Sequence, residues 1–183
     1  MSDLPQFYFA GYLVQEPFWT KWPRREGMAV ASIERRVHPE FNMTWDDVNG
    51  LLNTTRFHLT LPDLQRYPGY RLGCYMVEAE GIETVQWTSQ DGKPMRVLEY
   101  APFVQRVDDG LKRLGYEVVD CEIEALSILN NCGWGLEQIE PVAGKLNQYA
   151  LFDTYEQSRA FKEFLREDPE DPHSQGAVFE VWG

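Results

Sequence analysis

The middle of the sequence decides the fold class: residues 70–102 read YRLGCYMVEAEGIETVQWTSQDGKPMRVLEYAP. The segments at 70–81, 82–89 and 94–102 are short runs with the alternation of apolar and polar side chains that is typical of strands. The tetrapeptide QDGK (90–93) joins the last two segments, and its Asp-Gly is the strongest short-range hairpin signal because both residues tolerate positive φ. The sequence therefore predicts an antiparallel meander in the middle of the chain.

Regular elements are predicted on both sides of this meander. An aromatic run at 6–14 and an alternating run at 27–37 predict two strands before it. Thr44 can cap a helix whose apolar face lies within 45–52, and the prolines of 61–70 predict a loop or a single turn. Beyond the meander, the patterns predict helices over 102–115, 121–132 and 154–167 and strands over 116–120, 134–142, 148–152 and 177–182.

Capping patterns support the later helices. Asp120 precedes the second of them, and Asp153 with Glu156 forms a capping-box pattern at the start of the third. With strands and helices in this order, the sequence predicts an α+β fold with a largely antiparallel sheet and about four helices packed on it.

Length and charge describe the domain organisation. A chain of 183 residues fits one domain, 1–183, in which 1–100 would be mainly a β meander and 101–183 an acidic α/β half. The formal net charge is −12, and residues 116–183 alone carry 14 acidic and four basic side chains. Such a surface repels phosphate, so nucleic acid is disfavoured, and it would attract a protein partner with a basic surface. The same charge would also suit a purely solubilising surface.

The cysteines and apolar segments indicate a cytoplasmic protein. Cys74, Cys121 and Cys132 are too few and too scattered for a disulfide framework, which is typical of a reducing compartment. The apolar run at 7–14 has no basic region before it and no small-residue cleavage site after it, so no signal peptide is expected. No stretch approaches the roughly 20 apolar residues of a membrane span, and no membrane association is expected.

The hexapeptide NNCGWG at 130–135 raises the question of whether Cys132 is a nucleophile. The predicted helix ends here, and the negative end of a helix dipole disfavours a thiolate. Gly133 is explained by a left-handed helix cap and Trp134 by burial. The aromatic residue that directly follows the cysteine in papain-like enzymes is missing. The sequence therefore predicts a structural Cys132 and favours a protein without catalytic residues.

The sequence contains no pattern for a metal or a cofactor. His173 could join Asp168, Glu170 or Asp171 in a metal site, but no HxH, HxxxH or CxxC spacing supports it. His58 has no marked partner for acid–base chemistry. The phosphate-binding patterns GxxxxGK[ST] and GxGxxG do not occur. No metal and no cofactor are therefore expected.

One segment has the composition of a binding surface. Residues 16–27, EPFWTKWPRREG, form a predicted loop that combines three large aromatic with three basic side chains. Such residues are enriched in interface hot spots. Alternatively, both tryptophans could fold back as a lid on the sheet, or the loop could bind single-stranded nucleic acid by stacking. The acidic C-terminal part offers a second surface. The partner-binding residues predicted on the two surfaces are Phe18, Trp19, Lys21, Trp22, Arg24 and Arg25, and Glu167, Asp168, Glu170 and Asp171.

These patterns favour a non-enzymatic cytosolic protein–protein interaction module of the inhibitor, immunity, anti-defence or adaptor type. The alternative is a small-molecule-binding or hydrolytic domain with an aromatic pocket on the antiparallel sheet. Its lining would be Tyr75, Trp87 and Tyr100, with Glu78 as the polar group. A second alternative is a structural subunit of a larger assembly.

Overall fold

A five-stranded antiparallel sheet forms the centre of the structure, which is a computed structural model. Three α-helices occur in the described part of the chain, so the predicted α+β class is confirmed, while the predicted number of about four helices is not. The structure describes residues 5–18, 23–33, 37–44, 53–55, 57–79, 86–88, 94–96, 104–120, 126–168, 170 and 173–183.

The strands and helices are mostly short. The strands are β1 (Phe7–Gln15), β2 (Asn42–Thr44), β3 (Asn53–Thr55), β4 (Arg71–Glu78), β5 (Gln86–Thr88), β6 (Pro94–Arg96), β7 (Arg113–Asp120), β8 (Leu126–Ser127) and β9 (Ala177–Trp182). The α-helices are α1 (Ile128–Asn131), α2 (Leu136–Ala143) and α3 (Tyr155–Arg166), and 3-10 turns cover Pro23–Arg25, Pro39–Phe41 and Leu64–Arg66.

The main sheet has the strand order β1-β4-β9-β7-β8, and every neighbouring pair is antiparallel. Strand β4 pairs with β1 and β9 and not with β5, so the predicted meander is wrong in its pairing. The pairing predicted on either side of QDGK is confirmed, because β5 and β6 are antiparallel in a separate two-stranded sheet. Strands β2 and β3 form a second two-stranded antiparallel sheet. Since β4 pairs with β9, both halves of the chain contribute to one sheet.

The chain itself covers the β1 edge of the main sheet. Tyr12 exchanges two backbone hydrogen bonds with His58, at 2.8 and 3.0 Å, and the N–H of His38 donates to the carbonyl oxygen of Val14 at 2.8 Å. Gly11 permits this close approach, because its φ is +139° and a Cβ there would lie 2.9 Å from the carbonyl oxygen of His58. The opposite edge strand, β8, is two residues long.

Both faces of the sheet are buried, which explains why its strands carry nearly continuous apolar runs instead of a clean alternation. One face packs against the segment around Ala31 and Ile33 and against Phe41 and Leu151. The other face packs against α2 and α3, and its outer part packs against the irregular segment 104–111.

The helix predicted over 102–115 is wrong for the described residues, where no helix forms and β7 begins before the predicted element ends. The side chain of Asp108 accepts a hydrogen bond from the N–H of Gly110 at 3.3 Å, and that of Asp109 accepts one from the N–H of Leu111 at 3.0 Å. Such local side-chain bonds compete with a helix, and Gly110 also has a φ of +70°.

The strand predicted over 134–142 is wrong, because this stretch forms α2. Gly135 has an extended backbone before the helix, and its N–H donates to Oε1 of Gln138 at 2.9 Å. Leu136 and Ile139 then lie on one side of the helix, against the core cluster shared with α3. The apolar residues fit a helical period as well as an alternating one, and packing selects the helix.

The helix predicted over 121–132 is replaced in its second half by β8 and the four-residue α1. Ser127 caps α1 instead of Asp120: its hydroxyl oxygen accepts a hydrogen bond from the N–H of Asn130 at 3.1 Å. Residues 121–125 lie outside the described residues.

The strands predicted over 27–37 and 148–152 are wrong where they are described, because both segments are irregular. They bond to each other: the N–H of Ala29 donates to the carbonyl oxygen of Gln148 at 2.7 Å. Ala150 has a φ of 56°, which interrupts any extended strand at that point.

The other predicted elements agree with the structure where it describes them. Helix α3 is capped by Thr154 and Gln157, one position after the predicted pair of Asp153 and Glu156. The helix predicted within 45–52 lies outside the described residues. Confirmed are the strands predicted at 6–14, 70–81, 116–120 and 177–182, the helix predicted at 154–167 and the single turn within 61–70.

Candidate functional site

The start of the aromatic-basic segment, residues 16–27, is folded onto the sheet. Phe18 is partly buried against the core. The guanidinium carbon of Arg71 lies 4.3 Å from the centroid of its ring, and the ring of Tyr149 is 5.7 Å away. Outside the described residues lie Trp19, Lys21 and Trp22.

Arg25 anchors the other end of the segment. Its side chain is fully buried, with Nε donating to Oδ1 of Asn130 at 2.8 Å and Nη2 donating to the carbonyl oxygen of Leu129 at 2.5 Å. Burial lowers the pKa of Arg25 to about 10, which leaves the guanidinium charged at neutral pH. Arg25 is therefore held inside the fold, whereas its neighbour Arg24 is exposed.

In the stretch 130–135, Gly133 and Trp134 have the structural roles that the sequence predicts for them. Gly133 has a φ of +88°, as a left-handed cap requires. Trp134 packs edge-on against Phe161 of α3, with the ring centroids 5.7 Å apart. Asn130 has a further role, because its Nδ2 donates to the carbonyl oxygen of Ala150 at 2.8 Å while its Oδ1 accepts from Arg25.

Cys132 has an imidazole beside it, which no pattern in the sequence indicates. Its Sγ lies 3.9 Å from Nδ1 of His173, and the same nitrogen lies 3.4 Å from Oδ2 of Asp120. All three residues are partly exposed. In a catalytic triad the acid and the nucleophile contact opposite nitrogens of the imidazole. Because both contact Nδ1 in this cluster, the arrangement differs from that of a hydrolytic triad.

The acidic residues predicted to bind a partner follow the end of α3. Glu167, Asp168 and Glu170 are exposed, and Asp171 lies outside the described residues. The dipole of a helix disfavours carboxylates after its C-terminus, so these side chains do not stabilise α3. They contribute to the negative surface that the composition of the C-terminal part indicates.

The structure separates the residues of the predicted aromatic pocket. Tyr75 and Glu78 are both fully buried, but they lie three residues apart on β4 and so point to opposite faces of the sheet. Strand β5, which carries Trp87, belongs to a different sheet. The side chain of Trp87 and all of Tyr100 lie outside the described residues.

Glu78 belongs to a buried ion pair between the sheet and α3. Its Oε1 accepts hydrogen bonds from Nζ of Lys162 and from the N–H of Val178, the latter at 2.9 Å. Its Oε2 accepts one from the hydroxyl of Tyr155 at 3.0 Å. With both charges buried and three donors on the carboxylate, Glu78 has a structural role in the fold.

Tyr75 belongs to a different polar cluster, on the other face of the sheet. The Nε2 of Gln15 donates to its hydroxyl oxygen at 2.6 Å, and burial raises the pKa of Tyr75. Arg71 and Glu117 complete the buried polar cluster and interact electrostatically with each other. Within the described structure, four buried atoms of this cluster have no hydrogen-bond partner, namely Oε1 of Gln15, Nε and Nη1 of Arg71 and Oε2 of Glu117.

Glu117 is fully buried at the centre of this cluster. Burial raises its pKa to about 7, although hydrogen bonds from Ser127, from the N–H of Ile33 and from Ser32 act in the opposite direction. Ionisation of Glu117 near neutral pH would place a charge in the interior, with one carboxylate oxygen lacking a donor.

An apolar surface that no sequence-based prediction identified lies on the segment after β3. Leu59, Leu61 and Leu64, together called the leucine surface, are exposed by 38%, 45% and 38%. The signal in the sequence is LTLPDL at 59–64, where one residue separates the first two leucines and two residues separate the second from the third. Alternation such as that of the first two leucines is also typical of a half-buried strand, so the pattern does not by itself predict exposure.

Among the described residues, no group of three or more His, Cys, Asp or Glu side chains could hold a metal ion. None of the helices described is long and apolar enough to cross a bilayer.

The sheet, its two covered faces and these clusters define an α+β protein with a predominantly antiparallel architecture. Comparison of the chain with models of known protein families, with curated proteins and with solved structures finds no match in any of the three.

Proposed function

We propose that this protein is a cytosolic interaction module that binds another protein, and that the leucine surface is part of its binding site. The observation that carries the proposal is the exposure of three leucines within six residues, by 38%, 45% and 38%. When a partner removes apolar surface from water, the complex is stabilised by about 25 cal/mol for each Å² that is buried. Clustered exposed leucines are therefore typical of an interaction site.

The segment that carries the leucine surface is anchored to the fold at both ends. At its start, His58 is fixed to Tyr12 by two backbone hydrogen bonds. At its end, Asp63 caps the 3-10 turn by accepting from the N–H of Gln65 at 3.1 Å, and Tyr67 is buried behind the turn. A preformed surface loses little conformational entropy on binding, which favours affinity.

The aromatic-basic segment remains a second contact in the proposal, in a reduced form. Phe18 and Arg25 pack inside the fold, so they would fix the ends of the segment and would not contact the partner. Exposed Arg24 would supply a cation to the interface. The remaining contacts would come from Trp19, Lys21 and Trp22.

The acidic surface supports a partner with a basic face. Glu167, Asp168 and Glu170 are exposed, and the chain has a formal net charge of −12. Long-range attraction between such a surface and a basic partner accelerates association more than it strengthens the final complex. Proteins of the inhibitor, immunity, anti-defence and adaptor types act by binding of this kind.

Affinity capture from host extract tests the role of the leucine surface. The wild type is compared with a variant carrying Leu59→Ser, Leu61→Ser and Leu64→Ser, and with Val107→Ser as the matched control. Val107 is 54% exposed and lies outside the leucine surface, so its variant loses a similar group elsewhere. We expect a protein that binds the wild type and Val107→Ser to bind the triple variant at least about tenfold more weakly, since about 1.4 kcal/mol corresponds to tenfold.

Equal binding of that protein by all three forms would contradict a role of the leucine surface.

The acidic surface has a separate test in the same complex. Changing Glu167, Asp168, Glu170 and Asp171 to lysine should slow association and flatten its dependence on salt. Unchanged association kinetics would remove the acidic surface from the proposal and leave the leucine surface unaffected.

The second candidate function is binding of a small polar molecule at the buried polar cluster. Its atoms without a partner include donors on Arg71 and acceptors on Gln15 and Glu117, so a ligand with both kinds of group would satisfy them. Phe18 covers Arg71 and would have to move to admit a ligand. The test is a melting-temperature screen with small polar metabolites. A stabilisation that is lost in Arg71→Met would support this candidate, and no stabilisation by any metabolite would argue against it.

A third candidate, a structural subunit of a larger assembly, is tested by the mass in solution. A mass several times that of one chain would favour it. A mass of one chain would favour an interaction module that meets its partner transiently.

A further inference from the structure

Cys132, His173 and Asp120 form a cluster of three titratable side chains that come from separate parts of the fold. Cys132 follows α1, Asp120 is the last residue of β7, and His173 lies in the turn before β9. The sulfur lies 3.9 Å from Nδ1 of His173, and Oδ2 of Asp120 lies 3.4 Å from the same nitrogen. Because all three are partly exposed, small solutes can reach the cluster.

The thiol of Cys132 has two acceptors within reach: the carbonyl oxygen of Ser127 at 4.0 Å, and Nδ1 of His173 when the imidazole carries its own proton on Nε2. A carboxylate oxygen is a hydrogen-bond acceptor, and so is an imidazole nitrogen that carries no proton. The contact between Asp120 and Nδ1 of His173 therefore becomes favourable only when Nδ1 is protonated. When that proton comes from Cys132, the thiolate and the carboxylate of Asp120 both lie beside Nδ1 of an imidazolium, which attracts both.

Two arginines lie on the segments next to Cys132. Arg24 lies over Gly133, where a Cβ would be 3.0 Å from Nη1 of the arginine. Arg25 donates a hydrogen bond to the carbonyl oxygen of Leu129. Glu137, in the first turn of α2, interacts electrostatically with Arg25.

We propose that Cys132 is a nucleophilic thiol and a site of covalent modification by small soft electrophiles, with His173 as the acceptor of its proton and Asp120 as the partner of the imidazolium. This goes beyond the proposed binding function and replaces the sequence-based prediction that Cys132 is inert. A thiolate beside a histidine cation is the chemical state in which cysteine reacts.

The reaction with iodoacetamide, the probe used below, shows the chemistry. The S–H bond of Cys132 breaks, and its proton moves to His173. The sulfur then forms a bond to the methylene carbon of the reagent, and the carbon–iodine bond breaks with the electron pair leaving on iodide. The imidazolium returns its proton to water. No oxidant or reductant takes part.

Cys74 provides an internal standard for the folded state. It is fully buried, and burial raises the pKa of its thiol to about 12. A folded molecule should therefore leave Cys74 unmodified, and its alkylation would reveal unfolding. Replacing Cys121 by serine leaves Cys132 and Cys74 as the two thiols of the chain.

The experiment measures the rate of Cys132 alkylation between pH 5 and pH 10 in the Cys121→Ser protein, with the denatured chain as reference. We expect a midpoint at least one pH unit below the value of about 8.5 for an ordinary thiol. The rate at pH 7 should exceed that of the denatured chain by about threefold, because the larger thiolate fraction is partly offset by weaker nucleophilicity. His173→Gln should return the midpoint to about 8.5 or above.

Three comparisons make the test decisive. A midpoint at or above that of the denatured chain overturns the proposal without any further variant. The same low midpoint in His173→Gln, with Cys74 still unmodified, also overturns it. If His173→Gln exposes Cys74, Asp120→Asn serves as the test variant instead and should also raise the midpoint. Asp168→Asn, at an exposed acidic residue after α3, is its control and should leave the midpoint unchanged.

Discussion

Glu117 carries its carboxyl group in the interior of the sheet, where burial raises its pKa to about 7 from the ordinary value of 4.5. The folded state therefore binds this proton more tightly than the unfolded chain does. Between the two pKa values folding takes up a proton, so stability falls as the pH rises from about 4.5 through 7. Above pH 7 the full destabilisation is present, about 3 kcal/mol for a difference of about 2.5 pKa units.

Glu117→Gln should remove this pH dependence. In the wild type, the N–H of Ile33 donates to Oε1 of Glu117. The glutamine amide keeps an oxygen for this hydrogen bond and carries no charge at any pH. We expect the variant to be more stable than the wild type at pH 8 by up to about 3 kcal/mol and to differ much less at pH 5. Urea denaturation at both pH values measures the difference. Glu140→Gln on the surface is the control, and a Glu117→Gln protein that keeps the wild-type pH dependence would contradict the raised pKa.

Single residues were predictable where a local rule governs them. The positive φ of Gly133 and the packing of Trp134 follow from the chain around them. The burial of Glu117 and Arg25 could not be predicted in this way. Glu117 lies on a strand that is buried on both faces and Arg25 lies in a loop, and in neither case does the sequence pattern show which charged side chains are buried. Their partners lie far away in the sequence, with Asn130 separated from Arg25 by 105 positions.

Among the elements, α3 begins with a capping box that should set its stability. The hydroxyl oxygen of Thr154 accepts from the N–H of Gln157 at 3.3 Å, and Oε1 of Gln157 accepts from the N–H of Thr154 at 3.2 Å. Thr154→Ala should lower the free energy of unfolding by about 1 kcal/mol, because one N–H at the helix start loses its acceptor. Thr154→Ser keeps the hydroxyl and should stay close to the wild type. Equal losses for alanine and serine in urea denaturation would show that the hydroxyl is not what matters.

The elements that sequence periodicity predicted correctly are those whose period is unambiguous. Helix α3 has an apolar face at helical spacing, and β9 is a compact apolar run. The segment before β7 also has helical spacing, yet Val107 is 54% exposed and no helix forms. There Asp109 accepts a hydrogen bond from the hydroxyl of Tyr12 at 3.0 Å, and this long-range contact together with the local turns overrides the periodicity.

At the scale of the whole molecule, the pair of Glu78 and Lys162 fastens α3 to the sheet. Lys162→Met should destabilise the protein by about 3–5 kcal/mol, because it leaves a buried carboxylate without its counter-charge. Adding Glu78→Gln removes that charge and keeps an acceptor for the N–H of Val178, so the double variant should recover much of the loss. Arg159→Met breaks an exposed pair with Glu163 on the same helix and should change stability by less than about 1 kcal/mol. Chemical denaturation would contradict the account if the single and double variants were equally unstable.

The α+β class and the acidic character of the C-terminal part could be predicted from the sequence, because both are sums over many residues. The convergence of distant residues could not. Cys132 and His173 lie 41 positions apart, and no spacing rule joins two residues that meet only after β7, α1 and β9 have packed. The candidate sites therefore depend on the tertiary structure, while the fold class depends on composition and periodicity.

The covered β1 edge and the two-residue β8 limit how this molecule can associate with others. Strand addition needs a row of unpaired backbone groups, and at β1 the chain's own segments at His38 and His58 already occupy part of that row. At this edge another polypeptide could extend the sheet only after displacing them. Recognition at β1 is thereby left to side chains, and sheet-to-sheet polymerisation into fibrils through this edge is suppressed.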